Sequence, residues 1–159
     1  MSVPLTNAEI ETRCSDMLIK AESIYPYYLP YLEYLYSTGS RPVESLRSDY
    51  VVSVTSDSYI VQPDKKNNLR IILFSNINNT YKSFLDGSMV YIRPNQYQKL
   101  NVVGQSLQAP SNYRSEIRDF GLYLFRYNYV RKLHDSGMSI EDIQIEMGWK
   151  NILMVTRYL

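Results

Sequence analysis

The sequence has almost no thiol or imidazole chemistry to offer, with one cysteine, Cys14, and one histidine, His134, among 159 residues. A disulfide needs two cysteines, so no intrachain framework can form, and a lone thiol fits a reducing cytoplasm. A zinc site or a Cys–His nucleophile pair likewise lacks ligands, so neither metal nor cofactor is expected. Cys14 itself reads as a small residue near a helix surface. Long apolar runs are missing too: stretches such as Ile71-Ile72-Leu73-Phe74 are far too short to span a bilayer. The N-terminus carries no basic-then-apolar leader. Membrane insertion and secretion are therefore not expected, and a cytoplasmic location is.

Net charge is small as well, at +1, which by itself argues mildly against a nucleic-acid partner. Its distribution is uneven. Residues 1–60 carry 4 Lys/Arg against 8 Asp/Glu, whereas residues 61–159 carry 13 against 8. A basic C-terminal portion attracts phosphate, although a solvated charged face gives the same count. Tyrosine is abundant, with 16 copies, several of them in Tyr25-Pro26-Tyr27-Tyr28-Leu29-Pro30-Tyr31. Most of these read as core and rim residues at helical spacing, so abundance does not single out any one of them for chemistry.

The length suits one domain with a real core. Thr6 followed by Glu9 resembles a capping box and opens a helix through about Glu22. A second helix is predicted from about Pro30 to Ser37, with Leu29, Leu32 and Leu35 inward and Gly39 as its stop. A short one follows from Pro42. Tyr50–Thr55, Tyr59–Gln62 and Leu69–Phe74 are β-branched and aromatic runs separated by turn residues, which predicts a three-stranded antiparallel meander. Ser75–Asn79 reads as a polar loop. Helical segments are expected near Thr80–Leu85 and Pro94–Val103, and from Tyr113 to about Asp135. Ser139 with Asp142 begins another helix, Gly148 ends it, and a last one spans about Asn151–Tyr158. The whole reads as one α+β domain, mostly helical, with a small three-stranded antiparallel sheet.

Three segments carry chemistry. Thr38-Gly39-Ser40-Arg41 leads to Glu44, three residues beyond the arginine. A guanidinium presents a planar fork of donors to phosphate oxygens, and a carboxylate one turn away can hold that fork's aim. Next, the turn Pro63-Asp64-Lys65-Lys66-Asn67-Asn68 precedes Arg70 at the start of a strand. A lysine there can protonate a departing alkoxide, although paired lysines in a turn are otherwise ordinary surface. The third segment is Tyr123-Leu124-Phe125-Arg126-Tyr127, followed by Met147-Gly148-Trp149 and, nine residues after the tryptophan, by Tyr158 in Val155-Thr156-Arg157-Tyr158.

In this order the segments resemble the catalytic domain of the tyrosine recombinases, the phage-integrase family. The first is similar to its T-G-x-R-x-x-E segment and the second to its lysine-bearing β-hairpin turn. The third is similar to its H-x-L-R-H box, its L-G-H/W box and its T-x-x-Y ending. The resemblance spans nearly the entire chain. It implies a mostly helical DNA breaking-rejoining domain in which Arg41 and Arg126 clamp the phosphate and Glu44 supports Arg41. Lys65 would be the acid, with Lys66 open as an alternative, Trp149 a hydrogen-bond donor, and Tyr158 the nucleophile that forms a 3′-phosphotyrosine. Tyr123 and Tyr127 stand where the family has histidines. A phenol, with a reference pKa of about 10, can donate a hydrogen bond but is a poor base while neutral.

The partner implied is double-stranded DNA, bound by a dimer or tetramer, with a nucleoid-associated location. The sequence is expected to begin at the catalytic domain, without the N-terminal core-binding domain of the family. Two other readings of the same residues stay open: a type IB topoisomerase-like nicking-rejoining enzyme, and a non-catalytic DNA-binding protein that retains the fold.

Overall fold

Thr6 opens the first helix as a full capping box. Its hydroxyl accepts the Glu9 N–H at 3.1 Å, and the Glu9 carboxylate accepts the Thr6 N–H at 3.0 Å. The computed structural model in which this is seen describes residues 5–46, 50–62, 68–78, 81, 107 and 122–159. Helix α1 (Asn7–Ile24) buries Ile10, Cys14, Met17 and Ala21, a stripe at helical spacing. Cys14 is thus a core residue and not a surface one, fully buried on the face that α1 turns inward. Burial pushes its thiol well above the ordinary range, so it stays protonated and unreactive.

A 3₁₀ turn at Pro26–Tyr28 leads into α2 (Leu29–Thr38), whose Tyr31, Leu32, Tyr34 and Leu35 are buried while Leu29 is only partly so. Gly39 ends α2 in the left-handed region at φ +66°, its N–H bonded to the Leu35 carbonyl at 2.9 Å. A second 3₁₀ stretch, Pro42–Leu46, follows where a short helix was expected.

Strands β1 (Val51–Val54), β2 (Ser58–Val61) and β3 (Arg70–Leu73) form the predicted antiparallel meander in the order β1-β2-β3, slightly shorter than the apolar runs. In β3 the period of two is plain: Arg70 and Ile72 are buried, Ile71 and Leu73 exposed. Phe74–Asn76, expected as the end of the third strand and the start of a polar loop, makes a single 3₁₀ turn. The helices predicted near Thr80–Leu85 and Pro94–Val103, and the part of the next one before Leu122, lie outside the described residues.

Three further helices follow among the described residues: α3 (Tyr123–Asp135), α4 (Ile140–Met147) and α5 (Leu153–Thr156). Ser139 caps α4, its hydroxyl accepting the Asp142 N–H at 3.1 Å. Helix α5 is shorter than the predicted Asn151–Tyr158 because its two ends bond differently. Asn151 spends its side chain on the Leu153 N–H at 2.9 Å, and the Tyr158 N–H reaches only to the Val155 carbonyl, in the tighter 3₁₀ manner. Helices α1, α2 and α3 pack around one core that also takes Tyr59, Val61 and Ile72 from the sheet. A second core joins α3, α4 and α5 through Val130, Ile143, Met147, Trp149, Val155 and Tyr158.

Gly148 sets the contact between α4 and the sheet. It lies at φ +72°, and a Cβ there would stand 2.7 Å from Arg70 Cγ and 2.8 Å from the Asn68 carbonyl oxygen. The Asn68 N–H also donates to the Gly148 carbonyl at 2.7 Å. Gly148→Ala should therefore cost roughly 2 kcal/mol from strain and crowding together. Thermal unfolding should show it as a drop of about 4–8 °C in Tm; an unchanged Tm would mean that the close approach is not needed.

Between α1 and α3, Glu11 accepts hydrogen bonds from the Tyr36 hydroxyl and from Asn128 Nδ2, the latter at 2.6 Å, and pairs with Lys132 at 3.4 Å. Burial raises the Glu11 pKa, but the two hydrogen bonds and the lysine charge outweigh it, so the carboxyl sits below its ordinary value. A depressed carboxylate pKa stabilises the fold above the unfolded-state value of about 4.3 and loses that contribution as pH falls through the folded value. The stability gap between wild type and Glu11→Gln should accordingly shrink on acidification from about pH 6 to about pH 3. Thermal scans at several pH values would check this, and a gap that widened would contradict it.

Candidate active site

Arg41 follows directly from the way α2 ends. Gly39 allows the chain to pass against the Tyr129 ring of α3, where a Cβ would stand 2.6 Å from the ring. Two residues later the Arg41 N–H donates to Glu44 Oε2 at 2.6 Å, and Arg41 Nε lies 3.4 Å from Glu44 Oε1. Glu44 is buried and Arg41 half-exposed. The carboxylate thus holds the base of the Arg41 fork.

Arg126 sits one turn into α3 and is almost completely buried. Its guanidinium carbon lies 5.2 Å from the centre of the Trp149 ring and 5.7 Å from that of Tyr158. The two rings are stacked, 5.3 Å between centres and 10° from parallel. Burial lowers the Arg126 pKa, Tyr158 and Glu44 pull it up, and Arg70 and Arg41 push it down. An arginine stays charged even so. Its Nε, buried, has no hydrogen-bond partner among the described residues. A desolvated cation with an unused donor is costly unless an anion completes it.

Trp149 is delivered by the turn at Gly148. Its N–H bonds to the Gln144 carbonyl and its carbonyl accepts from Gln144 Nε2, each at 3.0 Å, so the backbone on both sides of the indole is fixed to α4. Tyr158, nearly buried, packs its ring on Trp149 and on Tyr127, the latter at 4.7 Å. Tyr123 is the first residue of α3, half-buried and three residues before Arg126. Lys65 and Lys66 lie outside the described residues.

Sequence reasoning used Arg70 only as a spacing mark, but the structure gives it a larger part. Fully buried, it donates from Nε to the Glu146 carbonyl and from Nη2 to the Thr38 carbonyl, each at 2.8 Å. Glu146 in turn accepts from the Tyr129 hydroxyl at 2.8 Å. One guanidinium therefore ties β3 to the end of α2, which presents Arg41, and to the end of α4, which presents Trp149. An arginine at a position where the strand pattern demands a buried residue was the available signal.

Solved structures share the fold that carries these residues. The chain superposes on the Tn1549 transposon integrase in complex with circular intermediate DNA, with a TM-score of 0.58 and 19% identity, covering 98% of this chain and 62% of that one. For the XerA recombinase the TM-score is 0.64 at 16% identity, covering 99% and 60%. For the XerH site-specific recombinase bound to its difH substrate it is 0.56 at 13%, covering 99% and 50%. The fold is that of a tyrosine recombinase catalytic domain. The chain spans about half to three-fifths of the length of these recombinases. No protein-family model and no curated protein matches it. Among the described residues, no helix is long and apolar enough to cross a membrane, and no group of three or more His, Cys, Asp or Glu side chains could hold a metal ion.

Proposed function

We propose that this chain is a site-specific DNA recombinase or integrase that cleaves and rejoins DNA through Tyr158. The observation that carries the reading is the buried Arg126 cation, its Nε unused among the described residues, set against the stacked rings of Trp149 and Tyr158. An anion is what that donor lacks, and the adjacent phenol is the nucleophile that a phosphodiester would meet. In the reaction the Tyr158 oxygen attacks phosphorus, the bond from phosphorus to the DNA 5′-oxygen breaks, and a 3′-phosphotyrosine remains. Arg126 and Arg41 would rest on the non-bridging oxygens and stabilise the charge that shifts there, with Glu44 holding the Arg41 fork.

The Trp149 indole N–H would donate to the phosphate, and Tyr123, in the place of a family histidine, would add a hydroxyl donor without the basicity of imidazole. Lys65, by its resemblance to the hairpin lysine of the family, would give the departing oxygen its proton. Because the covalent link keeps the phosphoester energy, religation needs no nucleotide and no metal. The partner is double-stranded DNA, bound by two or four copies in the cytoplasm.

A nicked suicide substrate tests the proposal: the severed end diffuses away and the covalent complex accumulates. A denaturant-resistant adduct linked through a 3′-phosphate supports it, and no adduct over a range of sites would leave only a DNA-binding fold. Exchange of strands between two sites distinguishes a recombinase from an enzyme that merely relaxes supercoils.

A further inference from the structure

Tyr158 is held at both ends. Its ring is gripped by Trp149 and Tyr127, and its carbonyl accepts a hydrogen bond from Arg131 Nε at 2.8 Å. The same guanidinium reaches with Nη1 to the Leu5 carbonyl and to Asn7 Oδ1, each at 3.4 Å, at the entrance to α1. Asn7 is itself bonded to Asp135 of α3, from Nδ2 to Oδ2 at 2.8 Å. The Arg131 guanidinium carbon also lies 5.7 Å from the centre of the Tyr127 ring, the ring that packs on Tyr158. Tyr127 and Arg131 are four residues apart on α3, so they face the same way.

We infer that Arg131 is a positioning residue that docks the nucleophile: it fastens the last turn of the chain to α3 and to the start of α1. The inference rests on the reading of Tyr158 as the nucleophile. The physical need is clear. Helix α5 has only four residues, too few to hold itself, and the carbonyls at its end have no intrahelical partners. Unanchored, so short a segment frays, and Tyr158 lies just beyond it. A planar fork with donors on two edges serves both strands of this junction at once, and a cation at a helix C-terminus is favourable as well. Arg131 does not touch the reacting phosphate in this scheme; it acts through the backbone of Tyr158 and the ring of Tyr127.

The test compares wild type, Arg131→Met and Arg131→Lys in two measurements. The first is amide hydrogen exchange of residues 153–159 in DNA-free protein, with α2 and the β-sheet as internal controls. The second is adduct formation on the suicide substrate, separating the rate at saturating DNA from the apparent affinity. Arg131→Met keeps the apolar stem and should speed exchange of 153–159 about tenfold or more while the controls hold. Its adduct rate at saturating DNA should fall by about ten- to a hundredfold with affinity little changed, as expected for a misplaced nucleophile. Arg131→Lys should lie between, since one ammonium can serve the Tyr158 carbonyl but not the α1 contacts as well, and it is the variant to rely on if Arg131→Met fails to fold.

Unchanged exchange at 153–159 overturns the inference, and so does faster exchange with an unaltered adduct rate. Faster exchange in the variant, with no adduct even from wild type, leaves the clamp standing as an anchor and removes the recombinase reading instead.

Discussion

Tyr158→Phe should give no covalent adduct on a suicide substrate, a loss of at least about a thousandfold, while folding and DNA binding persist. The prediction is sharp because, among the described residues, the contacts that hold Tyr158 do not involve its hydroxyl oxygen. The ring stacks on Trp149 and tilts against Tyr127, and Arg131 binds the main-chain carbonyl. Phenylalanine keeps all three, so the thermal midpoint should stay within the change expected for roughly 1 kcal/mol. Two other tyrosines are the ones to test as competing nucleophiles: Tyr127, 4.7 Å from the Tyr158 ring, and Tyr123, three residues before Arg126 on the same helix. Peptide mapping of the adduct in wild type distinguishes them. An adduct that survives in Tyr158→Phe, mapped to either one, would reject the assignment.

The parts of the fold that could be read from the sequence are those with local causes. Thr6, Ser139, Gly39 and Gly148 are helix ends whose chemistry lies within four residues of the signal, and each sits where its residue type demands. The meander was legible for a similar reason, since β-branched runs bounded by turn residues have few alternatives. What could not be read depends on partners distant in sequence. Arg70 bonds across 32 and 76 positions to Thr38 and Glu146, and Arg131 across 126 to Leu5. The strand pattern marks Arg70 as a buried arginine but not its partners, and no local pattern announces Arg131. Cys14 misled because a thiol is small enough for either face of a helix, and only the Ile10–Met17–Ala21 stripe decides which.

The candidate site shows the same division. Spacing and order brought Arg126, Trp149 and Tyr158 forward as a set, but their adjacency is produced by the core shared by α3, α4 and α5. The Arg41–Glu44 pair was legible in full, because a turn of 3₁₀ helix puts the two within reach without help from elsewhere. Lys65 was legible only through resemblance to the family, and its turn lies outside the described residues.

Arg126→Met should all but abolish cleavage and yet make the protein more stable. Removing an arginine that stabilises transition-state charge costs about a hundred- to a thousandfold in rate. DNA affinity, spread over many phosphates, should change far less than that. If affinity and cleavage fell together, Arg126 would be an ordinary DNA contact. On the stability side two effects oppose each other. The guanidinium gains cation–π attraction from Trp149 and Tyr158, worth about 0.5–2 kcal/mol each. Against this stands the desolvation of a buried cation, several kcal/mol, with Nε still unsatisfied among the described residues. The second effect is larger, and methionine fills a similar volume with no charge to desolvate. The variant should therefore gain roughly 1–3 kcal/mol, a rise of about 2–10 °C in Tm. Inorganic sulfate should erase much of that difference, because an anion that binds the folded wild type stabilises it by mass action and finds no cation in the variant. Opposite signs for activity and stability at one residue are the mark of a site that keeps a destabilising charge for its ligand. A variant that lost stability and activity in step would show that Arg126 serves the fold rather than a phosphate.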